Sequence, residues 1–255
     1  MKRALGAYAA LMLAFLHAPL LILIAFSFNS SRFTVWEGFS LHWYREAMNN
    51  PQLAEGLLNS LIIAVAAALL STVIGTMAAY GMWRSKSPLL SGSLYLSLVT
   101  PEIVTGVSLL ALFQWAFHFL HLQLGLHTVI VAHVAFSIAY VVIVISARLR
   151  GYDRTLEEAA MDLGASEWRA FSRVTLPLLA PAIGAAALLA LVVSFDDYVI
   201  TSLVAGVDSE TLPMVIYAMA RRGVSPVVNA VSALIVVVLG AIILISDRLQ
   251  SRSAA

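Results

Sequence analysis

Asp196 and Asp197 stand side by side in the segment SFDDYVI, residues 194–200, at the far end of a long apolar run. A charge in such surroundings costs several kcal/mol unless it is paired or hydrated. Phe195 and Tyr198 flank the pair, and Glu102 sits beside Pro101 in another apolar run. Carboxylates can replace the water around an ammonium group, and aromatic faces attract cations. These five residues could therefore line the path, or form the outer gate, of a cationic solute. Successive residues on a helix point about 100° apart, so only one aspartate would look straight into such a path. Two neighbouring carboxylates also repel, which favours proton uptake, a basic partner or a cation between them. Structural roles compete with this reading. Either aspartate could cap a helix break or pair with Arg221 or Arg222, and Glu102 could accept from backbone donors freed at a proline kink.

Other chemistry finds little support. No span carries a nucleophile, base and orienting group together, and without a G-x-x-x-x-G-K-[ST] loop the chain offers no site for hydrolysing ATP. His118, His121, His127 and His133 lack cysteine or carboxylate ligands at metal-site spacing, so they read as interface histidines. With no cysteine there is no disulfide framework, and a net charge of +1 gives no reason to expect nucleic acid.

The elements that must position the carboxylates are membrane spans. The 255 residues are 61% hydrophobic and 11% charged, against about 45–50% and about 25% in a soluble domain. Six apolar stretches reach the roughly 20 residues that a bilayer core requires: 5–28, 57–82, 89–117, 128–147, 178–205 and 227–246. Pro101 should kink or break the third. The absence of any linker between the stretches gives one membrane domain over 1–255. With both termini inside, eleven of the fifteen Lys and Arg residues fall on inner segments, Lys86 among them, and Arg32, Arg45, Arg221 and Arg222 lie outside. The outer segment 29–54 reads as a short surface helix with Trp36, Trp43 and Tyr44 at the interface. Asp196 lies 18 residues beyond Leu178, roughly 27 Å along a core about 30 Å thick. That places the pair near the outer mouth.

Between the fourth and fifth spans lies the one long polar inner stretch, 148–183. Thr155 and Glu158 have capping-box spacing, Leu156, Ala159, Ala160 and Leu163 share an apolar face, and Gly164 suits a left-handed helix stop. Ser166 can cap a second helix over 167–174, with Pro177 starting the next span. This helix-turn-helix is pinned to the bilayer at both ends, which argues against a DNA reader.

The segment EAAMDLGASEWRAFSRVTLP resembles the coupling loop of permease subunits in bacterial ATP-binding cassette importers. Glu158, Ala159, Ala160, Gly164, Leu176 and Pro177 fall on that family's spaced signature, and Val174 stands where it has Ile. The stretches at 19–31, 38–48, 59–64, 194–200 and 211–221 are similar to the spermidine/putrescine permease branch. The resemblance implies an all-α membrane protein with the type I importer permease fold, six transmembrane helices and a cytoplasmic coupling loop at about 148–177. It implies that Glu158, Ala159, Ala160 and Gly164 couple to an ATPase. Its partners would be two ATPase subunits carrying ATP and magnesium, a second homologous permease, a periplasmic binding protein and the inner-membrane bilayer, with no cofactor in this chain. An ion-driven carrier using Glu102, Asp196 and Asp197 is the alternative. Replacing Gly164 by a bulky residue, or Glu158 by Lys, is expected to abolish uptake while the protein still reaches the membrane; normal uptake by both variants would remove the docking assignment.

Overall fold

The computed structural model describes residues 2–33, 35–85, 88–120, 122–223 and 226–253; Lys86 and His121 lie outside them. Among the described residues every regular element is helical, and the nearest approach to a strand is one isolated bridge between Asn29 and Phe39. In chain order the helices are α1 (Lys2–Ser27), α2 (His42–Met48), α3 (Pro51–Ser85), α4 (Pro88–Val99), α5 (Glu102–Leu120) and α6 (Leu126–Leu149). The segment after α6 contributes α7 (Thr155–Asp162) and α8 (Glu167–Ala170), and a π-helical turn, Phe171–Thr175, leads into α9 (Leu176–Asp196). The chain ends with α10 (Val199–Val204), α11 (Leu212–Arg221) and α12 (Pro226–Ser253).

Among the described residues, five stretches are long and apolar enough to cross a membrane: Leu5–Ser27, Pro51–Ser85, Glu102–Phe119, Leu126–Leu149 and Glu167–Asp196. The 28-residue α12, apolar over Pro226–Val238, follows them. Local signals explain several boundaries. Asn50 Oδ1 accepts from the amides of Gln52 and Leu53 at 3.0 and 3.3 Å, and Pro51 opens α3, since proline has no amide to leave unsatisfied there. Pro101 breaks the third apolar stretch outright, dividing α4 from α5.

Three expectations need correction. The fifth stretch is not one helix over 178–205, because α9 stops at Asp196 and α10 begins at Val199. The helix ahead of it is shorter than 167–174, since α8 ends at Ala170 and a π-turn joins it to α9, with Pro177 in the first turn of that span. The capping box does not form. Arg154 is already helical at φ −65°, and Asp153 Oδ1 accepts from the Thr155 amide at 3.0 Å, a bond that holds the Asp153 carboxyl below the usual carboxylate range.

Contacts group the chain into two compact units, Met1–Ala54 with Val215–Ala255, and Glu55–Met214. In the first, α1 and α2 pack on α12. The short helix expected within 29–54 is present as α2, yet Trp43 is buried, donating its ring N–H to the Asn29 carbonyl at 2.7 Å, while Trp36 is exposed. In the second unit α6 is central. One cluster joins α3, α6 and α9 through Ala79, Val141, Ile145, Leu179, Ala186 and Ala190. Another joins α3, α5, α6 and α10 through Ile63, Phe113, Val129, Ala132 and Ile200. The alanines let backbones approach, the usual basis of packing where lipid supplies no hydrophobic drive.

The tightest approach falls between α10 and α11. A Cβ on Gly206 would lie 1.8 Å from the Leu124 carbonyl oxygen and 2.2 Å from its carbon, both backbone atoms. A Cβ on Gly106 would meet chiefly the flexible end of Leu203, at 2.6 Å. Gly206→Ala is therefore expected to destabilise by about 1–3 kcal/mol and Gly106→Ala by clearly less, measured as thermal unfolding in detergent. Indistinguishable midpoints for the two variants would show that the Leu124 backbone yields.

Candidate functional site

Two helix breaks meet at one place in the Glu55–Met214 unit. The α4–α5 break at Pro101 and the α9–α10 break after Asp196 both border a cavity of about 390 Å³, whose lining includes Glu102, Thr105, Tyr140, Asp196, Asp197 and Tyr198. Interrupted backbone at membrane depth is tolerated where protein or a wet cavity receives it, and broken helices of this kind build the solute sites of many carriers. The last carbonyls of α9 carry partial negative charge, which together with Asp196 favours a cation.

The adjacent aspartates have separate tasks. Asp197 is nearly enclosed, with its side chain 6% exposed. Its Oδ2 accepts from the Thr201 amide at 2.8 Å and from the Thr201 hydroxyl at 2.7 Å, and Oδ1 receives the Ile200 amide at 3.4 Å. The carboxylate thus satisfies first-turn donors of α10, the task of an N-cap. His133, fully buried on α6, lies 3.4 Å from Asp197 Oδ2 through Nε2 and 2.9 Å from Thr201 Oγ1, and its Nδ1 lies 2.7 Å from Ser194 Oγ. Asp196 is exposed and turns into the cavity. Among the described residues no basic side chain pairs with Asp196 or Glu102.

Of the five residues singled out in sequence, Glu102, Asp196, Asp197 and Tyr198 come together at the cavity. Phe195 does not, being buried at 9% exposure and outside the lining. Asp197 takes His133 and Thr201 as partners rather than Arg221 or Arg222; Arg221 instead stacks on Tyr217 at 5.6 Å. Of the lining residues, Tyr140 stands fourteen residues into α6, roughly 21 Å from its start, and α10 continues beyond the aspartate pair. His133 is a core residue, not an interface one, and the described residues contain no grouping of His, Asp and Glu suited to a metal. Its role had a signal in the sequence, since Ser194, Asp197 and Thr201 stand three and four apart, the spacing of one face of a continuous helix, and a buried polar face requires a partner.

At the opposite end of the unit, α7 stops as its sequence foretells. Gly164 has φ +89°, the Gly164 amide donates to the Met161 carbonyl at 2.8 Å and the Ala165 amide to Ala160 at 3.0 Å, a Schellman termination. Ser166 Oγ accepts from the Arg169 amide at 3.4 Å. Leu156, Glu158, Ala159 and Leu163 are exposed, Leu163 at 90%, and Ala160 is half-buried. Glu158 pairs with Arg154 at 3.4 Å on the surface. The buried carboxylate is its neighbour Glu157, at 3% exposure, which receives the Tyr80 hydroxyl at 3.1 Å and also the Thr175 hydroxyl. Tyr152 OH lies 3.0 Å from Thr175 Oγ1, and burial pushes the Tyr152 phenol up. Sequence reasoning missed Glu157, although two adjacent glutamates on a short helix cannot share one face.

Apolar helices broken at an acidic cavity, with an exposed helix-glycine-helix loop at the far end, define the class of membrane transport subunits. Residues 71–254 match the binding-protein-dependent transport system inner membrane component family, and the chain belongs to that family. It is 40% identical over 251 residues to the spermidine/putrescine transport system permease protein PotC of Escherichia coli (strain K12), covering 97% of this chain and 93% of the relative. It is 41% identical over 247 residues to the putrescine transport system permease protein PotI of the same organism, covering 94% and 88%. In fold it is similar to a chain of the bacterial alginate ABC transporter in complex with an alginate pentasaccharide-bound periplasmic protein, with a TM-score of 0.73 at 16% identity over 98% of this chain and 96% of that one. A chain of the inward-facing MetNI methionine ABC transporter gives 0.65 at 19% identity, covering 77% and 94%. The chain is thus a permease subunit, not an enzyme and not an ion-driven carrier.

The two aspartates should separate under mutation. Asp197→Asn weakens charge-assisted bonds to a buried helix start and is expected to cost about 1.5–3 kcal/mol, seen as a lower unfolding midpoint in detergent. Asp196→Asn should leave the midpoint unchanged. Equal losses would mean that both side chains hold the break.

Proposed function

We propose that this permease carries polyamines, spermidine or putrescine, or a related small cationic nitrogenous solute, handed over by a periplasmic binding protein. The observation that carries the reading is the division between the aspartates: Asp197 is consumed in holding the helix break, while Asp196 and Glu102 face the cavity with no basic partner among the described residues. Two unmatched carboxylates beside tyrosine rings suit an alkyl chain bearing ammonium groups. The relatives named for spermidine and putrescine point to the same chemistry.

In this reading residues 1–255 act as one permease domain in the inner membrane with both termini cytoplasmic, forming half of the path beside a second, homologous permease. Two ATPase subunits dock below. The exposed face of α7, with Glu158, Ala159, Ala160 and Gly164, meets one of them, and the ATPase cycle rocks the helices between outward- and inward-facing states. Asp196, Glu102 and Tyr198 receive the cation from the outer side; Phe195 supports them from the core.

Uptake by the reconstituted complex with its binding protein decides this. Spermidine or putrescine should be taken up in preference to a panel of amino acids, with a requirement for ATP and no sensitivity to an ionophore. Asp196→Asn should lower that uptake about tenfold, the scale of 1.4 kcal/mol, with the ATPase still bound, and Phe195→Leu should change it far less. Uptake indifferent to Asp196→Asn would remove the cation role of the cavity.

A further inference from the structure

Glu157 has no part in the docking or the cavity, yet it is the residue of α7 that the structure buries. Its carboxylate takes hydrogen bonds from two separate membrane segments. Tyr80 OH, on α3, lies 3.1 Å from both carboxylate oxygens, and the Thr175 hydroxyl, fully buried in the π-turn below α9, donates to Oε1. Arg84 Nη1 steadies the pair from one side, 3.4 Å from Tyr80 OH and 3.4 Å from Glu167 Oε2. The Tyr80 and Phe171 rings pack 4.6 Å apart on the other. Apolar side chains could fill this space without enclosing a charge, and such replacements are often neutral or stabilising. The network supplies something that apolar packing does not, a directional tie between one short helix and two spans.

We propose that Glu157 is the positioning residue that transmits motion of α7 to the cavity. Its strut runs from the Glu157 carboxylate through Thr175 to α9 and through Tyr80 to α3. The inference rests on the reading of α7 as the helix that docks on the ATPase. From Thr175 the 21-residue α9 extends directly to Asp196, roughly 32 Å away at 1.5 Å per residue. A displacement of Glu157 therefore moves the helix whose far end presents the cavity carboxylate. α3 moves with it, and through Gly75, whose Cβ would stand 2.7 Å from Val141 Cγ1, α3 bears closely on α6, which carries Tyr140 and His133. The strut enters α9 through Thr175, the last residue of the π-turn, a place where one extra residue per turn can shift the register of a helix.

The test uses the assembled transporter in proteoliposomes, with its ATPase, second permease and putrescine-loaded binding protein. Basal ATP hydrolysis, its stimulation by the binding protein and putrescine moved per ATP are measured together. Tyr80→Phe and Thr175→Val should leave basal hydrolysis unchanged while stimulation and putrescine per ATP each fall about tenfold, within the usual span of coupling between sites. Glu158→Lys, which strikes docking, should lower hydrolysis itself. Because losing donors beside a buried charge can impair folding, Glu157→Leu with Tyr80→Phe, an apolar pair, provides a second route and should uncouple in the same way. A short bifunctional thiol linker between Glu157→Cys and Thr175→Cys, clean in a chain without native cysteine, should restore the coupling. Normal coupling in the apolar pair, or a linker that forms and restores nothing, would overturn the strut. Failure of the parent complex to move putrescine would count against the substrate alone, and stimulation of hydrolysis would still decide the strut.

Discussion

A helix can stop and restart inside a membrane only if the backbone donors it frees find acceptors within the protein. Asp197 supplies that acceptor for α10, and the architecture of the cavity depends on it. Without a cap at this point the fifth apolar stretch would gain most by continuing as one helix, and no cavity would open beside it. His133, Ser194 and Thr201 complete the arrangement by leaving the carboxylate little freedom to turn away. The second break needs less. Proline removes a donor by its own chemistry, and the Pro101 carbonyl is taken by the amides of Val104 and Thr105 at 2.9 and 3.1 Å.

The loop that carries α7 shows a related economy of position. Along α7, Glu157 turns inward to the spans and Glu158 outward to solvent, one residue and about 100° apart. Asp197 and Asp196 divide in the same way, one held within the protein and the other turned to the cavity. Each acidic doublet thus combines an internal tie with an external contact, and in each the first task fixes the geometry of the second.

Much of the framework was legible in the sequence because it rests on local rules. Apolar length gave the spans, Pro101 the break, Gly164 the stop of α7, and Ser166 the start of α8. What escaped was set by partners far along the chain. Asp197 and Asp196 look alike until His133, more than sixty residues earlier, is known to touch one of them. Glu157 was passed over because Tyr80 lies 77 residues away. Phe195 was drawn to the path by its neighbours, yet the end of α9 turns it into the core. The capping box failed for a nearer reason: Asp153 competes for the same amide and wins, having a shorter reach to it.

The split between the aspartates also bears on how such a permease can change over generations. A single side chain that both held the helix and met the solute could not be altered without endangering the fold. Here the cavity-facing carboxylate is free of structural duty, so its charge can be lost, reversed or replaced by a neutral group with the scaffold intact. On the proposed cation role of Asp196, preference for a new cargo is then one substitution from the old one, and the neighbouring residue records none of it.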